Sequence, residues 1–184
     1  MGEAKIIQLK KGETLMCEGT YTVLSGNLIC KTCKQLIHFL NIGDILIVDV
    51  TFFENNLCYE ARGKVLLVDV TKNRAFNVLK TRQELQKKIT KALLKRVDSY
   101  SSSAKDRLKS LLYQAGDETG KQHITEDICQ LPNLLTHREL AQYVGCSREY
   151  LSGLRKELIK DGSLSNSKGW ILLSWSKWQA EFRY

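Results

Sequence analysis

The chain has 184 residues, a formal net charge of +8 and 43% hydrophobic residues, enough apolar side chain for one large domain or two modest ones and too much for a disordered polymer. No run of about eighteen apolar residues occurs, and the N-terminal residues lack the apolar core of a secretory leader, so neither a membrane span nor export is expected. The expected compartment is the cytoplasm, where the six cysteines read as reduced thiols, metal ligands or redox sensors and not as a permanent disulfide scaffold. The positive excess favours a polyanionic partner and is unevenly placed: residues 71–109 hold 12 Lys and Arg against 3 Asp and Glu, whereas residues 136–184 hold 8 against 5.

From Ile6 to Val70 short apolar runs alternate with turn signals: Lys11-Gly12, Glu18-Gly19, Ser25-Gly26-Asn27, Asn41-Ile42-Gly43-Asp44 and Glu54-Asn55-Asn56. That spacing predicts a small all-β sandwich or barrel. Within it Cys30-Lys31-Thr32-Cys33 reads as a C-x-x-C at a hairpin tip. Such a pair is open to three readings: structurally incidental thiols, a redox disulfide, or two thiolates for a metal, with Lys31 and Lys34 favouring the thiolate. Cys17 and Cys58 could complete a site if the fold brought them together, while Cys129 and Cys146 read as structural. His38, His123 and His137 are not paired at ligand spacing, and no G-x-S-x-G, P-loop or H-E-x-x-H occurs, so an enzyme is not expected.

Residues 72–100 contain no glycine or proline, and Leu79, Leu85, Ile89, Leu93 and Val97 recur mostly four apart, which predicts a long helix with one apolar face. Lys87, Lys88, Lys91, Lys95 and Arg96 flank that face. Ser101-Ser102-Ser103 interrupts the pattern, marks the domain boundary and caps a further helix containing Leu108, Leu111 and Leu112. Residues 116–120, with a glycine at each end, read as a loop.

Thr136 and Glu139 stand in capping-box spacing and start a helix carrying Leu140, Ala141 and Val144. Gly145 ends it, Ser147 caps a second helix, and Leu151, Leu154 and Leu158 form the buried stripe of that helix. Arg148, Glu149, Ser152, Arg155 and Lys156 fall on other faces, open to solvent or a ligand. A helix-turn-helix therefore reads from 136 to 158 and points to double-stranded DNA. After Asp161-Gly162, residues 163–165 and 170–173 read as two short strands around Asn166-Ser167-Lys168-Gly169, a wing that offers Ser167 and Lys168 to a phosphate. Trp175, Trp178 and Phe182 give a closing helix an aromatic face.

The segment V-G-C-S-R-E, Val144 to Glu149, together with Gly26 to Leu28, Gly43-Asp44 and Phe52 to Glu54 in the N-terminal half, resembles the cyclic AMP receptor protein and fumarate-nitrate reduction regulator superfamily of bacterial transcription factors. The likeness is specific in the C-terminal third and extends over nearly the whole chain. It implies an α+β architecture: an N-terminal β-roll, cyclic-nucleotide-binding-like, over 1–71, a connecting dimer helix over 72–103, and a C-terminal winged helix-turn-helix over 104–184. It also implies a homodimer burying Ile89 and Leu93 between subunits, two recognition helices about 34 Å apart on a pseudo-palindromic site, and RNA polymerase as a partner. No cofactor and no membrane contact are implied.

In that docking arrangement Arg148 suits a bidentate contact with guanine, Glu149 accepts from cytosine or adenine amino groups, and Ser152 adds a weaker contact. Thr136, Arg138, Ser147 and Lys168 are the candidates for phosphate positioning. Departures matter as much. The Gly-Glu and Arg-Ser pairs that hold a cyclic phosphate are replaced by Ile47-Val48-Asp49-Val50 and Leu57-Cys58-Tyr59-Glu60, so cyclic AMP binding is not expected beside Asp49 and Glu60. The family's iron-sulfur regulators carry their cluster cysteines largely in an N-terminal extension, a position that Cys30 and Cys33 do not match, so no cluster is expected there, and Gly153 stands where relatives often carry another base-reading arginine. Two alternatives remain: a redox- or metal-responsive regulator using Cys30 and Cys33, and a ligand- or protein-interaction module that no longer reads DNA.

Overall fold

The computed structural model describes residues 5–32, 35–48, 57–72 and 77–182. They form two compact units, Met1–Val97 and Asp98–Tyr184. Cys33, Asp49, Phe52 to Glu54 and Arg183 lie outside the described residues.

Among the described residues the first unit holds seven short strands: β1 (Ile6–Leu9), β2 (Gly19–Ser25), β3 (Leu28–Lys31), β4 (Leu36–Leu40), β5 (Ile45–Val48), β6 (Cys58–Ala61) and β7 (Val65–Asp69). They pair antiparallel in two sheets, ordered β1-β7-β2-β5 and β4-β3-β6. The inner faces share one core that includes Tyr21, Val23, Leu46, Val65 and Leu67 from the first sheet and Leu28, Cys30, Leu40, Tyr59 and Ala61 from the second. Burying such side chains contributes about 1.5–3 kcal/mol each, the main force holding the sheets face to face. The turn signals mark real reversals: Gly26 links β2 to β3, and Gly43 lies between β4 and β5.

Cys30 is not at the hairpin tip. It lies within β3, opposite His38 on one side and Tyr59 on the other, and is 0% exposed; the β3–β4 reversal is closed beyond it, where the Thr32 amide donates to the Gln35 carbonyl at 2.8 Å. Glu60 on β6 is also differently placed from the lone carboxylate the sequence suggests, since it pairs with Lys31 and, at 3.2 Å, with Arg62. Leu57, Cys58 and Tyr59, standing where a phosphate-binding arginine was looked for, instead join Thr14, Leu15, Met16 and Val48 around a depression of about 120 Å³. It is smaller than the ~300 Å³ at which ligand pockets begin, and among the described residues no side chain in its lining carries a charge.

Helix α1 (Val78–Ser99) closes this unit. Its apolar residues divide between two faces. Ile89 is 6% exposed and joins the β-sheet core of its own chain, with Leu85 and Ala92 packed alongside. Leu79, Leu93, Leu94 and Val97 remain exposed.

The second unit contains α2 (Ala104–Thr119), β8 (Lys121–His123), β9 (Ile128–Gln130), α3 (His137–Val144), α4 (Arg148–Lys160), β10 (Ile171–Leu173) and α5 (Trp175–Phe182). Ser103 caps α2 as expected, its hydroxyl accepting from the Asp106 amide. The loop expected at 116–120 is instead the last turns of α2. Gly116 sits inside the helix because a β-carbon there would come within 2.8 Å of the Trp175 ring, and at Gly120 within 2.3 Å of the Cys129 sulfur. These glycines permit close packing of the helix against its neighbours. The sheet, ordered β10-β9-β8, contains a β8–β9 hairpin that periodicity did not indicate. At its end Asp127 adopts φ 50° and binds the start of α5, accepting from the Ser176 amide at 2.8 Å and the Ser176 hydroxyl at 2.7 Å. The aromatic face of α5 is core: Trp175 and Phe182 stack on Tyr113 of α2 at 5.3 and 5.4 Å.

Burial of His38 in β4 has a pH consequence. Burial first, and then the Lys88 ammonium, lower its pKa to about 4 against the opposing pull of the Phe39 carbonyl and Asp44. The folded ring therefore stays neutral while the unfolded one, near 6.5, takes up a proton, so stability is lost as pH falls from about 6.5 to 4, by on the order of 3 kcal/mol. Urea denaturation across that window is expected to show this slope, and His38→Leu to flatten it.

Candidate nucleic-acid interface

The helix pair is specified locally. Thr136 caps α3 in a complete capping box: its hydroxyl accepts from the Glu139 amide at 3.2 Å, while its own amide donates to Glu139 Oε2 at 2.8 Å. Gly145 at φ 74° turns the chain in the left-handed region, where a β-carbon is costly. Ser147 then caps α4 by accepting from the Tyr150 amide at 3.1 Å. The turn is held from outside as well. Arg107 of α2 donates through Nε to the Val144 carbonyl at 2.7 Å and through Nη1 to the Ser102 carbonyl, satisfying one of the orphan carbonyls at the end of α3. Burial pushes the Cys146 thiol up despite this guanidinium, and burial pushes Cys129 up to about 11, so neither is poised as a thiolate.

Leu151, Leu154 and Leu158 are 0%, 3% and 0% exposed, fixing which side of α4 faces inward. With about 100° between successive residues, Arg148, Ser152, Lys156 and Glu149 then fall in that order in one arc on the exposed side, with Gly153 at its edge. Two of these groups have local partners. Ser152 donates to the Arg148 carbonyl at 3.0 Å, and the Glu149 carboxyl is held below its usual range by its own backbone amide and then by the Ser147 hydroxyl. Arg138 and Lys168 are exposed, and Thr136 is exposed with its hydroxyl engaged in the cap: besides accepting, it donates to Glu139 Oε2 at 2.8 Å.

The expected wing is present in reduced form. Residues 163–165 make one bridge, Leu164 opposite Leu172, flanked by the Ser165 amide donating to Ile171 and the Leu173 amide donating to Ser163, both at 3.0 Å. β10 pairs on its other side with β9. Arg155, read from the sequence as open to solvent, is instead turned onto the wing. Its Nη2 donates to the Ser167 carbonyl at 3.0 Å and the Gly169 carbonyl at 2.8 Å, and its guanidinium lies 5.2 Å from the Trp170 ring centroid. His137 at the start of α3 stacks on the same ring at 6.1 Å. Sequence alone missed Arg107 and the internal bonds of Arg155; only the Arg155 to Trp170 pairing had a signal, in the habit of guanidinium groups to sit over indoles.

Among the described residues no three His, Cys, Asp or Glu side chains converge as a metal site would require, and no helix is long and apolar enough to cross a membrane. No family model and no curated protein matches the sequence. Solved structures do. A CRP/FNR-family transcriptional regulator from Thermus thermophilus superposes with a TM-score of 0.71 at 20% identity, covering 98% of this chain and 99% of that one. A cyclic nucleotide-binding domain containing protein from Listeria monocytogenes gives 0.72 at 15% identity, over 94% and 90%. A CooA mutant from Carboxydothermus hydrogenoformans gives 0.69 at 20% identity, over 97% and 87%. The chain thus has the fold found in CRP/FNR transcription regulators along nearly its full length.

Two glycines in this region respond oppositely to alanine. At Gly153 a β-carbon meets nothing within 4 Å, so Gly153→Ala is expected to stabilise the fold by about 0.5–1 kcal/mol through helix propensity. Gly145→Ala, at positive φ, is expected to cost about 1–2 kcal/mol. Chemical denaturation of the two variants reads both signs.

Proposed function

We propose that this protein is a homodimeric, sequence-specific transcription regulator of the CRP/FNR kind that reads a pseudo-palindromic DNA site through a winged helix-turn-helix and does no chemistry. The observation that carries this reading is the division of α4: three leucines buried, with Arg148, Glu149 and Ser152 exposed together beside a capped turn. That is the division a helix needs in order to enter the major groove while staying anchored to its domain. Arg148 donates to guanine O6 and N7, Glu149 accepts from an exposed amino group, and Ser152 supplements them. Arg138 and Lys168 meet phosphates by charge. Thr136 and Ser147 act chiefly through the amides they organise at the helix starts, because their hydroxyls are committed to capping.

The dimer contact is assigned to Leu93, Leu94 and Val97 on the exposed face of α1, and Ile89 is withdrawn from it. The regulator works in the cytoplasm and meets RNA polymerase at its promoters. It is not expected to take a cyclic nucleotide: Leu57 to Glu60 supply no arginine, and among the described residues the small depression beside Cys58 is lined by no guanidinium. The burial of Cys30 favours this reading over a thiol switch, because a reagent or metal has no path to a sulfur that is 0% exposed.

Selection of bound sequences from random DNA tests the proposal directly. Recovery of a palindrome with half-sites one helical turn apart, or a whole number of turns, is expected; recovery of no preferred sequence would reduce the protein to an interaction module. On the selected site Arg148→Ala should cost about 1–3 kcal/mol and relax one base position. Lys168→Ala should weaken all sequences alike and lower the salt slope by about 0.9. Leu93→Glu should shift sedimentation from dimer to monomer with the circular dichroism unchanged.

A further inference from the structure

A wing can contribute to binding only if its position relative to the reading helix is fixed, and two paired residues give little rigidity on their own. Here the tip, residues 166–169, gets its fixed point from the helix itself. Arg155 lies one residue past Leu154 on α4, and a single nitrogen, Nη2, reaches two carbonyls of the tip, Ser167 at 3.0 Å and Gly169 at 2.8 Å. These carbonyls flank Lys168. The guanidinium plane also covers the Trp170 ring at 5.2 Å, and His137 stacks on that ring from α3. One side chain therefore joins the start of α3, the middle of α4 and both backbone neighbours of the wing lysine. A charge held by this many fixed partners is not free to contact DNA.

We infer that Arg155 is a positioning residue that holds the wing so that Lys168 meets a phosphate at the same time as α4 enters the groove. The inference rests on the DNA-binding reading given above. It deepens that reading by making the wing contact depend on a residue that itself touches no DNA. Lysine is a poor replacement for the guanidinium here: its ammonium retains the charge but is a compact, strongly hydrated point on a flexible stem, without the delocalised plane that stays over an indole while its terminal nitrogen holds two carbonyls.

The test uses the full chain on the DNA site recovered by selection, with affinity measured by fluorescence anisotropy at 50 and 200 mM salt for wild type, Lys168→Ala, Arg155→Lys and the double variant. Removing one phosphate contact lowers the ratio of the two affinities by roughly three- to fourfold. Arg155→Lys is expected to lower it by the same factor as Lys168→Ala although no charge is lost, and the double variant to lower it no further. Amide exchange without DNA separates this from general unfolding: residues 167–169 should exchange faster in Arg155→Lys, while Leu151 and Leu154 keep wild-type protection. A wild-type salt ratio for Arg155→Lys overturns the inference and leaves the DNA-binding reading standing, as do losses that multiply in the double variant. Failure of the wild type to prefer any sequence overturns both.

Discussion

The second unit depends on one constraint: α4 must bury Leu151, Leu154 and Leu158 while leaving its opposite side without an internal partner. Three leucines at spacings of three and four contribute several kcal/mol of apolar burial, far more than any single polar contact around them. Everything else in the region adjusts the helix within that frame. Gly145 lets the chain reverse into it, Ser147 satisfies its first amides, Arg107 secures the preceding carbonyl, and Arg155 fastens the wing to its flank. The polar face is thus a by-product of packing before it is a reading surface, and its register cannot slip without exposing a leucine.

Local chemistry made this part of the fold legible. A capping box, a turn glycine and a capping serine each act over three or four residues, so the boundaries of α3 and α4 follow from short-range hydrogen bonds that the sequence states openly. The strand-rich first unit was legible for the same reason, through its turns. What escaped was set by partners distant in sequence. Gly116 lies within a helix because Trp175, 59 positions later, occupies the space where a side chain would be. Ile89 and Leu93 look alike in the periodicity of α1, and only packing against the core of the β-sheets decides that one is covered and the other is not. The β8–β9 hairpin has three-residue strands, too short to set up an alternating pattern.

Charge was legible in amount and not in use. Glu60 reads as an obstacle to an anion until Lys31 and Arg62 are seen to neutralise it, and Arg155 reads as an available cation until its hydrogen bonds are placed. In both cases the count of charges was correct and the pairing, which fixes the electrostatic consequence, came from tertiary structure. Cys30 makes the same point for reactivity: a C-x-x-C spacing means little when the first sulfur is part of a β-sheet core.

Gly153 gives the protein a property of a different kind. Its missing side chain points into open space at the edge of the exposed arc of α4, next to Glu149, so nothing in the fold selects what stands there. A position that borders a recognition surface and is uncoupled from packing is a vacant slot in an otherwise finished tool. Any residue but proline could be placed in it as a library without re-engineering the scaffold, and new target preferences would be found there without disturbing the packed side of the helix.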